Sequence, residues 1–272
     1  MSASRSETEV RPRSWAELNR ELFEGSWNAA LGRFRSRMAF RGQARADLDL
    51  TTGLMELGGD FEKIEPHLLS SFRKYALPDL HWADNEWNWL AVAQHHGLPT
   101  RLLDWTFSPY VALHFATADL TAVREDGVVW CVDFVEAHKA LPPRLVKLLR
   151  RSGSDVFSVE LLAEAAPSLS ALDRLSRSEF ALFWEPPSLD GRVVNQSALF
   201  SMLSSAKGLM RDWLSRRTYV CRRIILPSEL KWEVRDKLDQ SNINERVLLP
   251  GWTGSAAGSG ATTCRSKDSG TL

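Results

Sequence analysis

The side chains best suited to chemistry are concentrated in residues 94–109, which read QHHGLPTRLLDWTFSP. Two adjacent imidazoles lie there with Arg101 and Asp104, in a turn predicted to join two helices. Functional side chains gather in loops held between rigid elements. Imidazoles can act as general acids or bases, and a guanidinium can bind a phosphate or carboxylate. The segment therefore suggests acid–base or anion-binding chemistry, although Asp104 could equally pair with Arg101 and brace the loop.

Hydroxyl groups close this segment at a predicted helix start. Ser108-Pro109 places a capping hydroxyl before a proline at the first helical position. The free N–H groups of a helix N-terminus favour an anion, so Thr106 and Ser108 could help to bind one. A plain N-cap role for Ser108 remains open.

A second candidate lies earlier in the chain, at Arg41-Gly42. Residues 37–43 alternate in polarity and predict a short strand that ends at Gly42. An arginine at this point could present its planar fork to a phosphate or carboxylate, and a glycine would let a ligand approach the backbone. The alternative is a surface arginine before a turn.

The third candidate is Gln196, within residues 193–203, which are a strand candidate. Alternation places it on the same face as Ala198 and Phe200. A buried glutamine needs hydrogen-bond partners, so it either satisfies a neighbouring loop or faces a ligand. Both interpretations stay open.

The histidines and cysteines do not predict a metal site. His95 and His96 are adjacent and point to different faces, and no short metal-type spacing accompanies them. They could instead cap a helix C-terminus, where imidazolium is favoured. The three cysteines, Cys131, Cys221 and Cys264, suggest a reduced, cytoplasmic protein.

The bulk composition is that of an ordinary soluble globular protein. The 272 residues include 34 Lys plus Arg and 34 Asp plus Glu, so the formal charge is zero. This balance argues against bulk electrostatic capture of nucleic acid or an anionic membrane. No apolar run reaches the roughly 18 residues of a membrane span, and no secretory signal is visible.

The predicted elements mix helices and strands without regular β-α-β alternation, which indicates the α+β class. We expect a single mixed domain over residues 14–250, with a mostly antiparallel sheet and flanking helices. Residues 1–13 and 251–272 are predicted to be disordered, the latter because they are rich in Gly, Ser, Ala and Thr.

Several of these segments resemble the FRG-domain family over roughly residues 14–250. The family takes its name from the first motif, Phe40-Arg41-Gly42. The other matching segments are WLA at 89–91, QHHGLPTRLLDWT at 94–106, SP at 108–109, ALHFA at 112–116 and RVVNQSALF at 192–200.

A weaker resemblance is to ADP-ribosyltransferases of the arginine–serine–glutamate type, and it implies a related fold. Its functional residues would be Arg41 for NAD phosphate or ribose, Thr106 and Ser108 around nicotinamide, and Gln196 where the catalytic glutamate belongs. A glutamine there cannot act as a base. The remaining residues expected to bind NAD are Gly42, His96, Arg101, Asp104 and Trp105.

Three functions are therefore expected. The first is an NAD-binding, ADP-ribosyltransferase-like or NAD-cleaving enzyme with an unidentified macromolecular acceptor, in the toxin or phage-defence biology that the FRG resemblance suggests. The second is a module that binds a nucleotide or nucleic acid without turnover. The third is a hydrolase that uses His95 or His96 with Asp104. The sequence does not decide whether the protein is an enzyme.

Overall fold

The computed structural model describes residues 8–75, 85–188 and 191–250. Their nine β-strands are β1 (Thr8–Val10), β2 (Trp27–Asn28), β3 (Arg33–Phe34), β4 (Met38–Gln43), β5 (Leu103–Thr106), β6 (Gly127–Asp133), β7 (Ala181–Trp184), β8 (Ala198–Leu203) and β9 (Cys221–Leu226). Their thirteen α-helices are α1 (Trp15–Leu22), α2 (Gly53–Glu56), α3 (Phe61–Tyr75), α4 (Glu86–His95), α5 (Pro109–Thr117), α6 (Phe134–His138), α7 (Pro143–Ser152), α8 (Val159–Ala165), α9 (Leu169–Asp173), α10 (Gly191–Asn195), α11 (Met210–Ser215), α12 (Lys231–Gln240) and α13 (Glu245–Leu248).

Seven strands form one sheet in the order β1-β9-β6-β4-β5-β8-β7. The β1–β9 pair is parallel, and the other neighbours are antiparallel. Strand β6 is buried along its whole length because its apolar run lies in mid-sheet with packing on both faces. The predicted α+β class with a mostly antiparallel sheet is confirmed.

One predicted boundary is corrected. Residues 1–13 were expected to be disordered, yet Thr8–Val10 form β1 because the free edge of β9 supplies backbone partners. An ion pair of 2.9 Å between Glu9 Oε2 and Arg223 Nη1 holds this edge strand. Residues 1–7 and 251–272 lie outside the described residues, so the predicted disorder stays untested there.

Helices cover both faces of the sheet. On one face α1, α5 and α12 pack on β4, β6 and β9 through a shared apolar cluster. On the other face a cluster around Trp130, Trp213 and Phe183 fills the space beneath α6 and α11. A third cluster joins α4, α7, α8 and α9 to β7 and β8 through Trp87 and Trp184. Many of the tryptophan side chains therefore lie in the hydrophobic core.

Helix α5 lies directly against β4, and Gly42 makes this contact possible. A β-carbon at position 42 would lie 1.8 Å from the carbonyl oxygen of Ala112. Sequence suggested that the glycine admits a ligand to the backbone. The structure places the backbone of α5 on the side where a β-carbon would project, and Gly42 also borders the cleft described below.

We expect Gly42→Ala to destabilise the protein by roughly 3 kcal/mol or more, since neither backbone can move aside cheaply. The control is Gly53→Ala, where the nearest atom to a new β-carbon is 3.5 Å away, an ordinary contact. Urea unfolding of both variants measures the difference. Equal stability would contradict the close approach of α5 and β4.

His138 is a buried structural histidine at the end of α6. Its Nε2 accepts a hydrogen bond from the backbone N–H of Phe183 at 3.0 Å, and its Nδ1 lies 3.0 Å from the carbonyl oxygen of Asp155. These partners suit a neutral ring protonated at Nδ1. Burial lowers the pKa of His138 from 6.5 to about 4.

A lowered histidine pKa makes stability depend on pH. The unfolded chain takes up a proton near pH 6.5, whereas the folded protein resists protonation until about pH 4. The stability that neutral His138 contributes is therefore fully present above pH 6.5 and decreases by about 3 kcal/mol as the pH falls from 6.5 to about 4. Burial also lowers the pKa of His114, which acts in the same direction.

Urea titrations at several pH values between 7.5 and 4 measure this loss. The uncharged variant His138→Gln should have a distinctly flatter stability profile than the wild-type protein, although it starts from a lower stability. Identical slopes for the two proteins would show that His138 is not the titrating group.

Candidate functional site

A cleft of about 380 Å³ opens where the sheet divides between β4 and β5. These strands pair at Phe40 and Thr106, whereas β4 and β6 pair along six positions. The ends of α4 and α5, together with α10 and Leu249, complete the cleft wall. Its volume lies within the range of ligand sites.

Arg41 reaches across this division. Its Nη1 donates a hydrogen bond of 2.6 Å to the backbone carbonyl oxygen of Asp104. Its Nε is fully buried and has no hydrogen-bond partner among the described residues. Burial lowers the pKa of Arg41, while the charges of Asp104 and Glu56 oppose this effect. An arginine nonetheless stays protonated, so the cleft wall contains a half-buried cation with a single hydrogen-bond partner among the described residues.

Asp104 lies beside Arg41 with its carboxylate exposed to the cleft. Both carboxylate oxygens accept from Gln94 Nε2, at 3.2 and 3.0 Å. The hydroxyl of Thr100 donates to Gln94 Oε1 at 2.5 Å, which fixes the orientation of the amide. Asp104 therefore pairs with Gln94, and the expected pairing of Asp104 with Arg101 is wrong.

The predicted hydroxyls have structural partners. Thr106 lines the cleft, and its Oγ1 donates to the carbonyl oxygen of Gln196 at 2.6 Å and accepts from the N–H of Ser108 at 2.9 Å. Ser108 caps α5 by accepting from Val111 N–H at 3.4 Å. The contacts of Ser108 are therefore those of an N-cap residue. The segment between α4 and α5 was predicted to be a turn, but it contains the strand β5.

Gln196 lines the cleft but does not lie in a strand. Residues 191–195 form α10, and a turn through Gln196 and Ser197, whose φ is 47°, leads into β8. The strand prediction for 193–203 holds only from Ala198, because alternation alone cannot detect this reversal. The amide Nε2 of Gln196 donates to the carbonyl oxygen of Leu248 at 2.9 Å. This bond ties the C-terminal segment to the cleft rim.

Arg101 belongs to a different part of the molecule. It is buried between Glu65 and Asp173, with its Nε 2.8 Å from Glu65 Oε1 and its Nη1 2.8 Å from Asp173 Oδ1. Although burial alone would lower the pKa of Arg101, these two carboxylates raise it. The residue lines a separate cavity of about 860 Å³. Its charge is paired with two carboxylates, and it does not line the cleft.

His96 also lies outside the cleft. It is exposed as the C-cap of α4 and packs on Phe72, with ring centroids 6.1 Å apart. Its neighbour His95 lines the cleft instead, because adjacent residues at a helix end face different sides. The sequence assigned His96 to the nucleotide, whereas His95 is the member of this pair that borders the cleft.

The aromatic residues divide between core and cleft. Trp105 borders the cleft but is only 3% exposed, and its indole N–H donates to Ser201 Oγ at 2.7 Å. Phe107 packs on Phe134 away from the cleft. The half-buried Phe115 offers an accessible ring there. From the sequence, Phe115 was noted only as part of the matching segment at 112–116.

The cleft thus combines cations, one carboxylate, amides and an aromatic ring. Arg192 was noted only as part of a motif, and it joins Arg41 in the lining. Such a set suits a ligand with an anionic group and a flat apolar part. Within the described part of the chain, no group of three or more His, Cys, Asp or Glu side chains is placed to hold a metal ion. None of the described helices could cross a bilayer.

The comparisons with known proteins identify one region. Residues 36–125 match the family model described as the FRG domain. This confirms the resemblance for the segment that carries Arg41, Asp104 and Thr106. The searches of curated proteins and of solved structures give no match, so the ADP-ribosyltransferase resemblance gains no support from them.

Proposed function

We propose that the cleft binds a nucleotide, with NAD as the ligand, and that Arg41 binds its phosphate groups. The observation that carries this proposal is the half-buried Arg41 guanidinium, which lines the cleft and has no carboxylate partner among the described residues. Withdrawing a charge from water is costly unless it is paired and hydrogen-bonded. Arg41 has a single carbonyl partner among the described residues, and an anionic ligand would supply the missing ones.

The order of the groups around the cleft supports NAD over other anions. Arg41 on β4, Thr106 on the adjacent β5 and Gln196 before β8 follow the order of the arginine–serine–glutamate arrangement. Phe115 provides an aromatic surface for a base or nicotinamide ring. On this basis ADP-ribosyl transfer or NAD cleavage is the proposed reaction, in a cytoplasmic protein with a role in toxin or phage-defence biology.

A binding module without turnover is the second candidate. Gln196 favours it, because an amide stands where the resemblance requires a carboxylate, and its N–H₂ group is engaged by Leu248. Nucleic acid as the ligand has less support, since the chain has equal numbers of basic and acidic residues.

Calorimetric titration of the full chain with NAD, ADP-ribose and inorganic phosphate tests the proposal. We expect saturable binding of NAD and ADP-ribose, and weaker binding of phosphate, which lacks the ring contacts. Absence of heat and of any thermal stabilisation at millimolar NAD and ADP-ribose would refute the proposed ligand class.

A further inference from the structure

The cleft contains a carboxylate, although position 196 has a glutamine where the ADP-ribosyltransferase resemblance requires a glutamate. Asp104 is the acidic residue among the described residues that line the cleft. Its side chain is exposed to the cleft from β5, next to the strand that carries Arg41. From the sequence, Asp104 was expected to bind NAD, to brace the loop, or to act with His95 or His96 in a hydrolase.

The surroundings of Asp104 hold this carboxylate in one orientation. Gln94 Nε2 donates to both of its oxygens, and Thr100 fixes the Gln94 amide from the other side. Thr100 itself is buried, and its Oγ1 also accepts from the backbone N–H of Leu102 at 3.1 Å. A chain of side chains from the protein interior thus positions Asp104, as a functional group requires.

The carboxylate of Asp104 lies near the positive charge of Arg41 but does not form an ion pair with it. Arg41 binds its backbone carbonyl oxygen rather than its carboxylate, so the carboxylate keeps lone pairs for a ligand. The Gln94 amide is a neutral donor, which orients the carboxylate while leaving its negative charge in place. This arrangement differs from that of Glu65, whose carboxylate is fully engaged by Arg101.

We propose that Asp104 is the catalytic carboxylate of the cleft and that Gln94 is its positioning residue. The inference rests on the proposed binding of NAD. It removes the difficulty posed by Gln196, because the carboxylate comes from β5 instead of the turn before β8.

The step balances with water or an acceptor hydroxyl as co-reactant. The bond between the nicotinamide nitrogen and the ribose carbon breaks, and its electron pair leaves with nicotinamide. The Asp104 carboxylate offsets the positive charge that develops on the ribose carbon. The oxygen of the nucleophile bonds to that carbon, and its proton passes to Asp104 and then to solvent. The products are nicotinamide and ADP-ribose, free or attached to the acceptor.

The test compares nicotinamide release with NAD affinity in the full chain. We expect Asp104→Asn to lower release at least about 100-fold while NAD binds equally well or more tightly, since a negative charge near the phosphates is removed. The exposed Asp236→Asn on α12 is the matched control. It should behave as the wild-type protein does.

Gln94→Leu separates positioning from folding. We expect it to lower kcat about 10-fold with little change in KM, and Asp104→Glu to keep part of the activity. Full release by Asp104→Asn, or NAD binding by the wild-type protein without any nicotinamide release, would overturn the role of Asp104 and leave the proposed binding intact. Absence of NAD binding to the wild-type protein would overturn both.

Discussion

Replacing Arg41 by methionine is expected to weaken NAD binding by about 2–5 kcal/mol, roughly 30-fold or more, without lowering stability. The binding loss follows because the guanidinium provides a positive charge and N–H donors for an anion. Stability is expected to hold because the variant removes a half-buried charge that has one carbonyl partner among the described residues. Apolar replacement of an incompletely paired buried charge is often neutral or stabilising.

Weaker NAD binding with unchanged stability distinguishes a binding residue from a structural one. Calorimetry with ADP-ribose measures the affinity, and urea unfolding measures the stability of the same preparation. Arg33→Met, at an exposed arginine on β3, is the matched control and should change neither quantity. A large loss of stability in Arg41→Met with unchanged affinity would show that Arg41 merely joins β4 to β5.

Replacing Arg101 by methionine is expected to lower stability and to leave NAD affinity unchanged, the opposite of the effects of Arg41→Met. The variant leaves the buried Glu65 and the partly buried Asp173 without their cation, at a cost of about 3–5 kcal/mol. For a protein of this size that corresponds to a fall in Tm of about 10 °C. NAD affinity should stay unchanged at temperatures where the variant is folded, because Arg101 does not line the cleft.

Differential scanning calorimetry measures the loss, and the double variant Glu65→Gln/Arg101→Met should regain part of it by removing one stranded charge. Arg20→Met removes an exposed ion pair with Glu21 and should have little effect. Loss of NAD binding by Arg101→Met with unchanged stability would show instead that Arg101 belongs to the ligand site, as the sequence suggested.

Local patterns predicted the elements well where one physical signal dominated. Ser108-Pro109 begins α5 because a capping hydroxyl and a proline both favour a helix start. The alternation of residues 37–43 corresponds to β4. The turn at Gln196 was missed because its positive φ falls on Ser197, a residue type that gives no glycine-like signal.

The candidate site was predicted in part. Arg41, Thr106 and Gln196 do border one cleft, which required three distant segments to meet. The partner of Arg101 could not be predicted, since Glu65 lies 36 positions away and Asp173 lies 72 positions away along the chain. Likewise, the sequence suggested that Gly42 lets a ligand approach the backbone, but it could not show that α5 packs against this glycine.

A crystal structure of the protein with ADP-ribose tests the central claim most directly. The account predicts phosphate oxygens within hydrogen-bond distance of the Arg41 guanidinium, with the ribose facing Asp104. A nucleotide seated in another cavity, with Arg41 still bound only to the carbonyl oxygen of Asp104, would contradict it.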